Sequence, residues 1–329
     1  MSFSFTARLG SCRQSFCGHF FFTMSKRGEI EVEGKKVVVS NLDKVLYPEA
    51  GFTKGQVIDY YIRIAPLLLP HLKNRPITLK RYPDGVEGFF FYEKQCPPHR
   101  PAWVKTTEVS SRRHSGKIDY CMINDLPALI WAANLADLEL HTFLHCAPAI
   151  GRPTAVAFDL DPGPPVDIVL CCQVGIWLKM ILGELGLQCF AKTSGSKGLQ
   201  LYVPLNTATT YEKTKAFAHA LAERLAREHP DEVVSRMQKV LRKGKVLIDW
   251  SQNDEHKTTV CVYSLRAKER PTVSTPVTWQ EVESVVKSGD GSRLVFDNIA
   301  ALDRVEKEGD LFGPVLTLKQ RLPSLKSIG

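Results

Sequence analysis

Hydrophobic and polar positions along this chain follow two periods, one of about two residues and one of about 3.6, and the changes between them mark out its elements. KKVVVS (35–40) reads as a short strand, and the turn-rich NLDKVLYPEAGFT leads from it to a helix with Thr53 as N-cap. Val57, Tyr60, Tyr61, Ile64, Leu67 and Leu68 follow at helical spacing, with a kink expected at Pro66. RPITLKRYPDGVEGFFFYEKQ (75–95) predicts two strands joined by a PDG turn, with Phe89 and Phe90 expected in the core. ALIWAANLA (128–136) predicts a buried helix, and LELH a strand ending in His141.

Beyond residue 150 the apolar runs are longer. VDIVLCCQVGIWLKMILGELG (166–186) predicts an apolar helix closed by Gly186, and two more helices are expected over 210–229 and 231–241. CFAKTSGSKGLQLYVPL (189–205) reads as strand, glycine loop and strand. KVLIDWSQND (245–254) reads as a buried strand ending in an acid, with TTVCVYSLR (258–266) expected to pair with it as a hairpin.

AFDLDPG (157–163) raises the first chemical question. In a strand, Asp159 and Asp161 share one face, about 7 Å apart, while Phe158 and Leu160 take the other. Two ionised carboxylates so placed repel unless a cation sits between them, and oxygen ligands at a strand mouth suit Mg²⁺ or Mn²⁺. The heptapeptide alone leaves open whether both acids merely cap the loop. A third strand-end acid, Asp249, favours a metal-binding arrangement of the kind used in two-metal phosphoryl chemistry. Two cationic features lie elsewhere. Asn41, Lys44 and Lys54 gather where a helix begins, which suits a phosphate, and Ser194–Gly198 bring a lysine and backbone N–H groups to a bend. A plain hairpin turn would account equally for that bend, and the basic stripe Arg236, Lys239, Arg242 and Lys243 reads as a solvated face.

Composition narrows the partners. The 329 residues carry 43 Lys and Arg against 35 Asp and Glu, a formal charge of +8, which favours a polyanion. No apolar run approaches the roughly 18 residues of a membrane span and no basic amphipathic helix stands out, which puts nucleic acid ahead of a membrane surface. Nine cysteines without CxxC spacing read as reduced thiols in the cytoplasm. His141, His145 and Cys146 lack a fourth ligand at a zinc-motif spacing and read as structural residues. Residues 1–29 look like an added tail, with Met24 an alternative start. Residues 30–329 read as a single domain, with an N-terminal α/β part over 30–150 and a catalytic part over 151–329.

FDLDPG, TSGSKGLQLYVPL and KVLIDWSQN, in that order, resemble the three motifs of the polymerase domain of bacterial DNA ligase D, in the archaeo-eukaryotic primase superfamily. NLDKVLYP, the helix from Lys54, the 75–95 hairpin, ELH and KTTVCVYSLR extend the resemblance over roughly Ile30 to Arg321. It implies an α+β fold with two mainly antiparallel sheets flanked by helices around a cleft, the second sheet similar to an RNA-recognition motif. It further implies that Asp159, Asp161 and Asp249 hold two ions, Mn²⁺ or Mg²⁺, for addition of nucleotides to primer 3′ ends. Lys80, Ser194, Lys197, Arg242, Gln252 and Arg266 would contact the incoming NTP or dNTP. His141 would lie by its sugar, in keeping with a preference for ribonucleotides, and Phe91 and Tyr92 would pack on bases. Asn41, Lys44 and Lys54 match a pocket for the 5′-phosphate of a gapped duplex or DNA end.

Such a protein would act in the bacterial cytoplasm at the nucleoid, in non-homologous end joining. No ligase or nuclease motif follows in this chain, so sealing would need a DNA ligase in trans, together with the end-binding protein Ku. One position departs from the family pattern. Gln200 stands where a histidine that contacts the triphosphate is usual, and glutamine donates a neutral hydrogen bond but never becomes cationic. A DNA-end and 5′-phosphate binding module with weak or no polymerase activity is the alternative, and a metal-dependent nuclease a more distant one.

Overall fold

In chain order, β1 (Arg27–Val32) and β2 (Lys35–Ser40) form a hairpin, and β3 (Val45–Tyr47) pairs with β4 (Phe52–Thr53) ahead of α1 (Lys54–Leu72). These elements come from a computed structural model that describes residues 27–111 and 116–325. The segment 1–26, including the alternative start at Met24, lies outside the described residues, and chain order is already that of a strand at Arg27. Thr53 caps α1 as the sequence predicts, in a capping box with Gln56, and Pro66 sits inside one continuous helix.

The first large sheet is built from β5 (Pro76–Arg81), β6 (Phe91–Glu93), β7 (Thr106–Ser110), β8 (Lys117–Met122) and, after α2 (Leu126–Asn134), β9 (Asp137–Thr142). The second starts with β10 (Ala155–Pro162). After α3 (Ile168–Glu184) come β11 (Phe190–Thr193) and β12 (Leu199–Pro204). After α4 (Tyr211–Glu228) come β13 (Val233–Val234) and β14 (Val246–Asp249). β15 (Thr259–Val260) crosses back to the first sheet, beside β9, and β16 (Pro276–Val277) closes the second, ahead of α5 (Trp279–Ser288) and α6 (Asn298–Glu308). The second sheet has the order β13-β14-β10-β12-β11-β16 and is antiparallel except for β13–β14.

The period of two on β10 decides how this sheet is used. Val156, Phe158 and Leu160 are fully buried in an apolar core with Cys171 and Leu178 of α3 and Phe217 and Leu221 of α4. Ala155 and Ala157, from the other face, join a second core with Tyr202 and with Leu138 and Leu140 of β9. Asp159 and Asp161 continue that second row beyond the core, so the carboxylates emerge between the two sheets.

Four readings from sequence are corrected. Residues 231–241 are not a helix: Val233 and Val234 pair in parallel with β14, and a short 3₁₀ turn follows at Lys239–Arg242. Val240 is 83% exposed there, so the segment has no apolar stripe to bury. Residues 258–266 do not pair with β14, because both its edges are taken by β10 and β13. Phe89 and Phe90 lie outside the core, 74% and 45% exposed, with Phe90 stacked on Tyr82 and Phe89 on Phe91. Cys96 and Cys121 form a disulfide, their Cα atoms 5.0 Å apart, which sequence spacing could not reveal because Cys121 lies on β8 and Cys96 on the loop after β6, brought together only by the fold. Cys146, Cys171, Cys172, Cys189 and Cys261 are free thiols.

Candidate active site

Asp159 stands directly opposite Asp249 across the β10–β14 ladder, and Asp161 lies two residues further along the same face. Burial is the main influence raising the Asp159 carboxyl, with Asp161 next, and together they push its pKa up to about 7. Asp161 is raised too, by burial and then by Asp249, while Arg242 and Arg266 act against the shift. Asp249 is held by its own turn: Oδ1 accepts from the Ser251 N–H at 2.9 Å and Ser251 Oγ at 2.5 Å, and Oδ2 from Gln252 Nε2 at 2.9 Å. Among the described residues no three His, Cys, Asp or Glu side chains converge as a ready-made ligand set. A cation nevertheless suits the place, because Asp159 Oδ1 is buried without a hydrogen-bond partner beside two further carboxylates. The His141, His145 and Cys146 group separates: His141 bonds Glu139, His145 bonds Tyr211, and Cys146 points to the Lys73 carbonyl.

Two glycines shape the rim. A Cβ on Gly163 would come within 1.7 Å of the Arg242 carbonyl oxygen, so only glycine lets the 242–245 loop lie on the end of β10. The Gly163 N–H donates to Lys245 O at 2.8 Å, which holds that loop, and with it Arg242, over Asp161. Gly198 likewise faces the Leu160 carbonyl, 2.1 Å from where its Cβ would be. In the Ser194–Gly198 bend, Ser194 Oγ accepts from the Ser196 and Gly198 N–H groups at 3.2 and 3.1 Å. Those two donors are therefore spent on the loop itself. Arg266 Nη1 donates to Ser194 O and Thr272 Oγ1 to Gly195 O, which clamps the bend from the side.

The resulting cleft has a volume of about 460 Å³. Asp159, Asp161, Tyr92, His141, Ser194, Lys197, Gln200, Arg242, Gln252 and Arg266 all line it, and Lys268 adds a cation that sequence reading did not single out. Asp249, Lys80 and Phe91 do not form its wall. Lys80 sits one layer behind, its ammonium 5.5 Å from the Tyr92 ring centroid. Phe91 pairs across the ladder with Arg81, on the face opposite to Tyr92 and Lys80, and the Arg81 guanidinium lies 5.2 Å from its ring.

Glu139 was not foreseen, although it organises one wall. Its Oε2 accepts from Lys80 Nζ at 3.1 Å and His141 Nε2 at 3.0 Å, and its Oε1 accepts from the Ala267 N–H at 3.0 Å with Arg266 Nε at 3.3 Å. Burial works to raise its pKa, yet the His141 hydrogen bond and the charges of Arg266 and Lys80 hold it well below the ordinary carboxylate range. His141 is itself drawn down by burial, Glu139 acting in the opposite sense, which leaves a neutral imidazole at the cleft wall near pH 7.

Asn41, Lys44 and Lys54 do come together at the start of α1. Asn41 has a positive φ of 50°, and Lys44 N donates to Asn41 O at 3.0 Å. The first N–H groups of the helix are already used, however: Lys54 N donates to Lys44 O and Gly55 N to Leu42 O, both at 2.8 Å. An anion there would therefore meet side chains before it met backbone donors. Lys54 is buried, donating to Asn134 O at 2.8 Å, while Lys44 pairs with Asp84 at 2.8 Å. Burial, then the charges of Lys44 and Arg81, lower the Lys54 pKa to about 8.

Carboxylates alone would suit hydrolysis, whereas the same cleft also holds Lys197, Arg242, Arg266 and Lys268, a set that suits a polyphosphate and the class of nucleotidyl-transfer enzymes. The comparisons narrow the class. A family model described as LigD, primase-polymerase domain, matches residues 53–312, and the chain belongs to that family, whose nucleotidyl transfer is metal-dependent. The multifunctional non-homologous end joining protein LigD of Mycolicibacterium smegmatis is 39% identical over 283 residues, which cover 85% of this chain and 36% of that protein. The bifunctional LigD of Bacillus subtilis is 32% identical over 275 residues, 83% of this chain and 43% of that protein. The chain thus spans well under half the length of these relatives. Among solved structures, the polymerase domain of Mycobacterium tuberculosis ligase D in complex with DNA superposes with a TM-score of 0.79 at 37% identity, covering 86% of this chain and 99% of that one. Among the described residues no helix is long and apolar enough to cross a membrane.

Proposed function

We propose that this protein adds nucleotides, ribonucleotides in preference, to primer 3′ ends at gaps and breaks in DNA, as a step of non-homologous end joining. The observation that carries the reading is the convergence in one cleft of Asp159 and Asp161 with Ser194, Lys197, Arg242 and Arg266, within a chain of the LigD primase-polymerase family. Asp159, Asp161 and Asp249 would hold Mg²⁺ or Mn²⁺, which would supply charge stabilisation for the attacking 3′ oxygen and the departing pyrophosphate. The chain's own cations then define where the nucleotide lies. Lys197, Arg242 and Arg266 neutralise the triphosphate, Arg266 held in place by its pairing with Glu139. Tyr92, more than half exposed, offers a face to the base, and neutral His141 in edge contact with it, 5.9 Å between centroids, is placed for the sugar hydroxyls. The bond formed joins the primer 3′ oxygen to the α-phosphorus, and the bond broken is the one to the β-phosphate.

Lys44 and Lys54 supply a site for the 5′-phosphate across the gap. A DNA ligase and the end-binding protein Ku would act as partners in trans, at DNA ends of the bacterial nucleoid. The test is extension of a gapped duplex with Mn²⁺ and either ribonucleotides or deoxyribonucleotides, with the downstream strand 5′-phosphorylated or not. Extension that favours ribonucleotides and the phosphorylated gap is expected. Tight binding of the phosphorylated gap without extension under any divalent metal would mark an end-binding module instead.

A further inference from the structure

One row of side chains crosses the second sheet at the level of the acids: Lys192 on β11 pairs with Gln200 on β12, Gln200 with Asp159 on β10, and Asp159 with Asp249 on β14. All four point to the same face. Lys192 is fully buried and lines no part of the active-site cleft. Its ammonium donates to three acceptors, Gln200 Oε1 at 2.5 Å, Ser274 Oγ at 2.7 Å and Val260 O at 3.1 Å, one for each of its three N–H bonds.

We infer that Lys192 is a positioning residue: by donating to Gln200 Oε1 it fixes the orientation of that amide and presents Nε2 to Asp159 and to the nucleotide beyond. An amide can bind in either of two orientations, and the wrong one here would set NH₂ hydrogens against an ammonium and a carbonyl oxygen against a carboxylate. Only one orientation satisfies both neighbours. The register sets Gln200 directly opposite Asp159, so with Oε1 turned to Lys192 the amide has its N–H side left for that carboxylate. At this position the chain therefore has a neutral donor whose direction is set by a buried lysine.

The inference rests on the reading that the cleft binds a nucleoside triphosphate through Gln200, and a mutant cycle separates the two. Binding of ATP with Mn²⁺ is measured by calorimetry, and thermal stability beside it, for wild type, Lys192→Met, Gln200→Leu and the double variant. Methionine fills about the same volume without a buried charge, and the thermal measurement separates any loss of folding, from acceptors left without a donor, from a loss of binding. Lys192→Met is expected to weaken ATP binding about ten-fold in the wild-type background and less than about two-fold when Gln200 is already leucine. Equal losses in both backgrounds, or no loss in a wild type that binds ATP, would overturn the positioning role. A wild type that binds no nucleotide would overturn the functional reading and this inference with it.

Discussion

Asp249 faces Asp159 as its direct cross-strand partner, one layer behind the cleft that Asp159 lines. Like charges opposite one another on a ladder are destabilising in the absence of a cation. Asp159→Asn should therefore abolish nucleotide addition while raising the melting temperature in chelator-containing buffer at pH 8 by about 3 °C. A lower melting temperature in that variant would show that the pair is not held apart against repulsion.

Glu139 gathers Lys80, His141 and Arg266 from three stretches of chain. Removing one partner of a buried ion group leaves the others uncompensated, so Glu139→Gln should cost on the order of 3 kcal/mol of stability. It should also weaken nucleotide binding, because the wall cations lose their anchor. Chemical denaturation and nucleotide titration read the two effects separately, and unchanged nucleotide affinity would remove Glu139 from the account of the site.

Lys54 bears on pH. Its folded-state pKa, about 8, lies below that of an unfolded lysine, so it loses its proton in the folded protein as pH rises through 8. The folded chain then binds fewer protons than the unfolded one between there and the unfolded value, and stability from this group rises with pH over that window. Recognition runs the other way, because a neutral amine attracts phosphate weakly. The preference for a 5′-phosphate over a 5′-hydroxyl should fall between pH 7.5 and 9, a range of about one unit around that pKa, in competition binding with gapped duplexes. A preference flat to pH 10, about the range of an exposed lysine, would mean that Lys54 makes no contact with the phosphate.

Phe91 and Tyr92 should part company. Tyr92 lines the cleft and Phe91 does not, so Tyr92→Ala should raise the KM for nucleotide about ten-fold, the scale of one lost stacking contact, with Phe91→Ala near wild type. Steady-state extension on one gapped duplex compares them. Equal effects would contradict the division of the two rings between faces.

Gly163 carries a steric prediction. Any Cβ there strikes the Arg242 carbonyl oxygen, so Gly163→Ala should push the 242–245 loop off β10 and weaken nucleotide binding, with the helical cores undisturbed. Circular dichroism alongside nucleotide titration would show the separation, and wild-type affinity would mean that the loop does not set Arg242.

The acid row was legible because strand periodicity is local: Asp159 and Asp161 are two residues apart, and both KVLID and AFDLDPG end their apolar runs in carboxylates. Thr53 was legible for the same reason. Glu139 was not, since in LELH it reads as one polar residue near a histidine, and its partners include backbone as far as 128 residues along the chain. Lys192 was hidden similarly, as a lysine between Ala191 and Thr193 that only the sheet register places under Gln200. The exposure of Phe89 and Phe90 escaped because an aromatic run looks like core whenever the turn before it is misplaced; the ordered strand begins only at Phe91. Residues 231–241 form no helix because two β-branched residues, Val233 and Val234, have a strand edge to join.

Single-nucleotide addition to a 5′-phosphorylated gapped duplex with Mn²⁺, comparing wild type with Asp161→Ala at matched DNA binding, tests the acid row most directly. Addition by wild type, and loss of at least about a thousand-fold in the variant with DNA affinity retained, is the expected result. Addition by Asp161→Ala at the wild-type rate would contradict the assignment of the acid row as the catalytic centre.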